Sequence, residues 1–149
     1  MNTDLPWISP GPRQPILVGY DGSPSSRSAA AWAAAEAAST GTPLRLAYVQ
    51  RWPLPELGDL GLPPEVHDVD RARQAASHLL NAAVERYRRM APSVDVRGTA
   101  LVGRTIDLLT KLATDASLIV LGSSGQTGAP QVLLGSSAAE LARRITTPV

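Results

Sequence analysis

Gly122, Gly125 and Gly135, with Ser136 and Ser137 behind the last of them, are the residues of this chain best suited to holding an anion. They fall in the stretch Leu118 to Leu141, LIVLGSSGQTGAPQVLLGSSAAEL, with Gly128 between them and almost no charge. Glycine lets backbone N–H groups approach a ligand closely, and a helix starting after Gly135 adds the positive end of its dipole. A buried strand, a glycine loop and a helix N-terminus together can cradle phosphate. A second account fits the same residues: the glycines form turns, and Ser137 with Glu140 makes a capping box that needs no ligand. Spacing alone leaves both open. On the first account, Gly122→Ala or Gly125→Ala is expected to block approach to phosphate while sparing most of the fold.

Other chemistry has thinner support. Asp21 closes an earlier apolar run and is an acidic group able to accept hydrogen bonds from sugar hydroxyls. His67 and His78 have no third ligand and no nucleophile nearby, and cysteine is absent, so neither a metal centre nor a thiol enzyme is indicated.

The elements that must position these residues alternate along the chain. Ile16 to Tyr20 reads as a buried strand, and Asp21-Gly22-Ser23-Pro24 follows it, with Ser23 as N-cap and Pro24 at the first helical position. Ser25 to Ser39 is nearly all alanine around Trp32, which predicts a helix lying close on a sheet. Leu44 to Val49 is a second strand, completing a βαβ unit. Residues 51–64 hold four prolines and two glycines among several leucines, which predicts an irregular loop packed over a site mouth or against a partner. Glu65 to Met90 has helical spacing, with Val66, Val69, Ala72, Ala76, Leu79, Ala83, Val84 and Tyr87 on the buried side. Val94 to Leu101 is a third strand, Thr105 to Ala113 a helix, Leu118 to Leu121 a fourth strand and AAELARRI the last helix. Thr146 to Val149 reads as the approach to a fifth strand.

This order predicts an α/β fold: an open, mostly parallel sheet of the five-stranded type, Rossmann-like, with helices on both faces and its fifth strand missing at the C-terminus. In such sheets ligands bind beyond the carboxyl ends of the strands, where strand order reverses. Asp21, Val49, Val102-Gly103 and Gly122 all arrive there. The 149 residues suit one domain, residues 15–149, preceded by a proline-bearing tail, residues 1–14. A net charge of +1 supplies no general field for nucleic acid or anionic membrane. The N-terminus lacks a basic start and an apolar core, and no run reaches the length of a membrane span, so a cytoplasmic protein is expected.

Four motifs in chain order resemble the universal stress protein family, from Ile16 to Val149. The pattern Gly-x2-Gly-x9-Gly-Ser/Thr of its nucleotide-binding members is matched by Gly122, Gly125, Gly135 and Ser136. A strand followed by Asp-Gly-Ser is matched at Ile16 to Ser23, the second strand's ending at Tyr48-Val49, and the Val-x-Gly segment closely by Leu101-Val102-Gly103. The resemblance implies that Asp21 binds the ribose of an adenosine, that the Val49 backbone meets adenine, and that Val102 and Gly103 line the base and ribose pocket. It implies that Gly122, Gly125, Gly135, Ser136 and Ser137 surround the phosphates. It further implies ATP as ligand, often with Mg²⁺, and a homodimer or tandem second domain joined through the edge strand after the last helix. Two departures stand out: that strand is not in the sequence, and Ser123, Ser124 and Gln126 occupy positions where relatives often carry Arg or Lys. Arg104, just after the third strand, is a candidate to compensate.

Neither a Gly-x4-Gly-Lys-Ser/Thr loop nor a Ser-Gly-Gly-x-Asp-Ser loop is present, and no base stands out to activate water. The expected function is an ATP-binding, stress-response regulatory protein with no catalytic residue. The alternatives are a slow ATPase, an enzyme that phosphorylates itself at Ser123, Ser124 or Ser136, and a dimerisation scaffold whose glycine loop is only structural.

Overall fold

The structure, a computed structural model, describes residues 13–51, 66–123 and 136–149. The predicted tail up to Pro12, most of the proline-rich loop, and Gly125, Gly128 and Gly135 lie outside the described residues. Among the described residues, four parallel strands form one sheet: β1 (Ile16–Gly19), β2 (Leu44–Arg51), β3 (Val96–Gly103) and β4 (Leu118–Leu121), in the order β3-β2-β1-β4. Four helices alternate with them: α1 (Pro24–Thr40), α2 (Val66–Met90), α3 (Thr105–Ala113) and α4 (Ser136–Arg144).

Two apolar layers sandwich the sheet. On one face Ile16, Val18, Leu44 and Leu46 pack against α1 and α2; on the other Leu17, Ala47 and Ile119 pack against α3 and against Leu141 of α4. This alternation along β1 is the period-2 pattern of a strand buried on both faces. Beyond Ser26 in its first turn, the buried face of α1 is Ala29, Ala30, Ala33, Ala34 and Ala37, a helical stripe of methyl groups, so the helix axis lies close to the sheet. Ser23 caps α1 as predicted, its Oγ accepting from the Ser26 N–H at 3.2 Å. The buried face of α2 is Ala76, Leu80, Ala83, Val84 and Tyr87. Leu79, expected on that face, is 38% exposed and instead lies over Gly22.

A buried cation sits at the opposite end of the sheet from the strand C-termini. Arg45 is 2% exposed, donates to the Asp95 carbonyl at 2.9 Å and its Oδ2 at 3.2 Å, and Arg97 reaches Oδ1 of the same residue. Burial pulls the Arg45 pKa down, and the Asp95 charge opposes that pull. Partial burial acts to raise the Asp95 pKa, but the charges and hydrogen bonds of Arg45 and Arg97 together outweigh it and hold the carboxylate below its ordinary range.

The predicted approach to a fifth strand takes a defined course. Residues 146–149 form no strand, but the Ile119 N–H donates to the Pro148 carbonyl at 2.9 Å, one rung on the outer edge of β4.

Candidate functional site

Strand order decides where a site can form. The chain moves from β1 to β2 to β3 across one half of the sheet, then returns to place β4 on the other side of β1. Strand order therefore reverses between β1 and β4, and the helices flanking that point leave on opposite faces, opening a crevice at the strand C-termini.

The register fixes what meets there. Gly19 is paired with Ala47 on one side and Leu121 on the other, so Asp21, two residues on, leaves the sheet between the positions of Val49 and Ser123. Val49 pairs with Leu101, and Val102 and Gly103 extend the same edge beside Gln50 and Arg51. Asp21, Val49, Val102, Gly103 and Gly122 are thus brought to one end of the sheet, as the sequence predicts. Ser136 and Ser137 open α4, whose Leu141 is fully buried against the β1–β4 half of the sheet. Gly125 and Gly135 lie outside the described residues.

Asp21 is organised by its own chain. Its Oδ1 accepts from the Ser23 N–H at 2.9 Å, and its N–H donates to Ser26 Oγ at 3.3 Å, while Ser26 Oγ donates to the Ser23 carbonyl at 3.1 Å. Partial burial acts to raise its pKa, but the hydrogen bonds from Ser23 and Ser26 together outweigh it and hold the carboxyl below the usual aspartate value. The residue is exposed, so the carboxylate faces solvent as a fixed acceptor.

Gly122 behaves differently from expectation. A Cβ there would stand 2.5 Å from Ser25 Oγ, 2.7 Å from the Ser25 carbonyl carbon and 2.8 Å from the Ser26 nitrogen. Its glycine character is required by the contact between the end of β4 and the first turn of α1, so substitution strikes the fold itself and is not a clean probe of phosphate approach. Gly103 has φ 151°, a conformation side chains rarely adopt, and ends β3 directly before α3. Arg104 takes the N-cap position of α3 without a side-chain hydrogen bond to the helix and is 87% exposed, 3.9 Å from Asp107.

The capping box that Ser137 and Glu140 could make, one of the two accounts left open by the sequence, is not formed among the described residues. The helix begins one residue earlier, at Ser136, and the Glu140 carboxylate accepts from Arg144 at 2.6 Å. Arg144 also reaches Asp107 at 3.3 Å, tying α4 to α3.

Sequence reasoning missed a groove. A cavity of about 500 Å³ runs along the outer edge of β4, lined by Ser25, Trp32, Leu118, Val120, Ser123 and Val149 among others. It shares Gly122 and Ser123 with the crevice but includes none of Asp21, Val49, Val102 or Gly103. The signal for it was Trp32, a large ring in a run of alanines, which stands 53% exposed on α1. Among the described residues no three His, Cys, Asp or Glu side chains come together as a metal site, and no helix is long and apolar enough to cross a membrane.

Comparison with known proteins gives a consistent answer. The family described as "Universal stress protein family" matches residues 12–149. A universal stress protein of Mycolicibacterium smegmatis is 32% identical over 137 residues, covering 92% of this chain and 45% of that protein. The chain spans about half the length of the curated relatives it matches. Among solved structures, a universal stress protein from Archaeoglobus fulgidus superposes with a TM-score of 0.69 at 23% identity, over 91% of this chain and 96% of its own, a likeness of fold. A universal stress protein in complex with cAMP superposes with a TM-score of 0.65 at 32% identity, over 91% of this chain and 94% of its own.

Proposed function

This chain belongs to the universal stress protein family, and from that premise we propose that it is an adenine-nucleotide-binding regulatory protein of the stress response, its ligand seated in the crevice between β1 and β4. The observation that carries the reading is the reversal of strand order at that crevice, where Asp21 leaves the sheet beside Gly122 and Ser123. A relative of similar fold at 32% identity is a complex with cAMP, which supports an adenine nucleotide over other anions.

In this reading Asp21 accepts from the ribose hydroxyls, the Val49 backbone meets the adenine edge, and Val102 and Gly103 line the base and ribose. Gly122, Gly125, Gly135, Ser136 and Ser137 supply backbone and hydroxyl donors to phosphate. ATP is among the ligands, with Mg²⁺ arriving on its phosphates, since the described residues offer no carboxylate cluster to hold the ion. A carboxylate held below its ordinary pKa is a weak base, so Asp21 is suited to binding and not to activating water. Nucleotide occupancy would then act through association with a second copy or a tandem domain, in the cytoplasm.

The test is calorimetric titration of the whole chain with adenine nucleotides, alongside extraction of any nucleotide that copurifies. Asp21→Ala is expected to weaken binding by about tenfold or more, the scale of a lost hydrogen bond to a charged group. Absence of binding at millimolar nucleotide, or unchanged affinity in a folded Asp21→Ala protein, would sink the proposal.

A further inference from the structure

We infer that this chain associates with a second copy of itself through the outer edge of β3, the two β3 strands pairing antiparallel across a twofold axis at Thr99. The inference goes beyond the nucleotide reading and does not rest on it.

The sheet order leaves β3 and β4 as outer strands. On β4 the Pro148 carbonyl already takes the Ile119 N–H. The edge of β3 is barer. Its residues run in unbroken register with β2, from Leu44 beside Val96 to Arg51 beside Gly103, with no bulge and no proline. The Leu44 N–H donates to the Asp95 carbonyl, so the odd-numbered residues of β3 turn their backbone groups to β2 and the even-numbered ones turn theirs outward. Arg88 Nε donates to the outward Val96 carbonyl at 3.1 Å. The N–H and C=O groups of Gly98, Ala100 and Val102 take no partner among the described residues. Such an edge is a template for another strand.

A second copy fits that edge without opposing like charges. Outward groups must meet outward groups, which leaves few twofold registers. With Thr99 against its own copy, Val96 meets Val102, Gly98 meets Ala100, and the Arg97 stem meets Leu101, a half-exposed residue on the face where α3 lies over β1 and β2. Moving the axis to Ala100 brings the exposed Arg104 against Val96, where Arg88 already lies. Moving it to Gly98 shortens the overlap and sets the Asp95 carboxylate against Leu101.

On the other face α2 covers β3, with Leu80 and Val84 against Gly98. The two α2 helices therefore run antiparallel above the seam. Their outer flank continues from Arg88 through Glu85, Asn81, His78 and Gln74 to Arg71, all exposed. The arrangement sets the Arg71 end of one flank toward the bonded Glu85 and Arg88 of the other, so an acid stands among the bases. Overlap from Val96 to Val102 makes a seam about 24 Å long and, with a helix stacked on the sheet, buries on the order of 1,000 Å² over both copies, enough for a specific interface.

Sedimentation equilibrium of the whole chain at micromolar concentrations tests this. The parent is expected to associate, and Ala100→Pro, which removes an outward N–H and no bond to β2, to weaken association at least about tenfold with an unchanged circular dichroism spectrum. The chain has no cysteine, so Thr99→Cys carries a single thiol, placed beside its copy at the twofold. Mild oxidation is expected to link most Thr99→Cys chains in pairs and to leave Ser39→Cys, exposed on α1, largely unlinked. A monomeric parent overturns the inference. So does undiminished association in a folded Ala100→Pro protein, or Thr99→Cys cross-linking no better than Ser39→Cys; if Ala100→Pro fails to fold, the cross-link decides. Failure to bind nucleotide is a separate result and leaves the seam standing.

Discussion

Asp21 is set in place before any ligand arrives, because the turn that starts α1 supplies the Ser23 N–H to its carboxylate. The ribose role proposed for it follows in the sequence from a type and a position, an acid just after a buried strand, and the structure keeps that position. Gly122 was legible as a glycine that matters, but its packing against α1 was not. The close approach of β4 to the first turn of α1 pairs residues about a hundred positions apart, which no local pattern encodes. Gly122→Ala is therefore expected to destabilise the protein by about 1–3 kcal/mol, the usual cost of forcing a methyl into a packed contact. A urea midpoint unchanged from the parent's would show that β4 and α1 can separate without cost. Asp95 carries a pH prediction. Its folded pKa lies below the unfolded one, so its contribution is present above the unfolded value and lost as pH falls through the folded value. Stability is expected to decline on acidification below the ordinary aspartate range, and Asp95→Asn to flatten that decline. Thermal melts across that range check it; parallel curves for the two proteins would contradict it.

At the scale of elements, the helices and strands were legible wherever a period was strong, as in α3 and β4, whose bounds match the sequence reading. The errors were rotations. The buried stripe of α2 passes through Leu80 and not Leu79, because Gly98 of β3 leaves room for Leu80 and Val84 to press onto the sheet. A Cβ at Gly98 would stand 2.9 Å from Leu80 Cγ and 2.8 Å from Val84 Cγ2. The partner's glycine sets the face a helix buries, and the helix sequence alone cannot report it. The capping box at Ser137 failed for a comparable reason: Glu140 has a stronger partner in Arg144, a full charge one turn away, than in a backbone N–H.

The molecule as a whole was legible as a parallel α/β sheet because strand and helix patterns alternate, and the crevice followed from topology. The groove beside β4 was not, since it depends on which edge of the sheet stays open. Ligand and fold are linked at this scale. Both walls of the crevice, α1 on one face and α4 on the other, are anchored in the core, through Ala30 and Ala33 on one side and Leu141 on the other. A nucleotide bound at a hundred times its Kd is expected to stabilise the folded chain by about 2.7 kcal/mol. That appears as a melting temperature rising with ligand concentration, and a melting temperature indifferent to saturating nucleotide would break the link. The alanine face of α1 has a further consequence, for the chain's history. A leucine or isoleucine in the opposite layer has smaller apolar neighbours into which it can drift at moderate cost. Ala30, Ala33 and Ala37, each with no exposed surface, can only grow or become glycine. The seam between α1 and the sheet is therefore where inherited variation has the fewest ways forward, and random mutagenesis should find its tolerated substitutions concentrated on the other face.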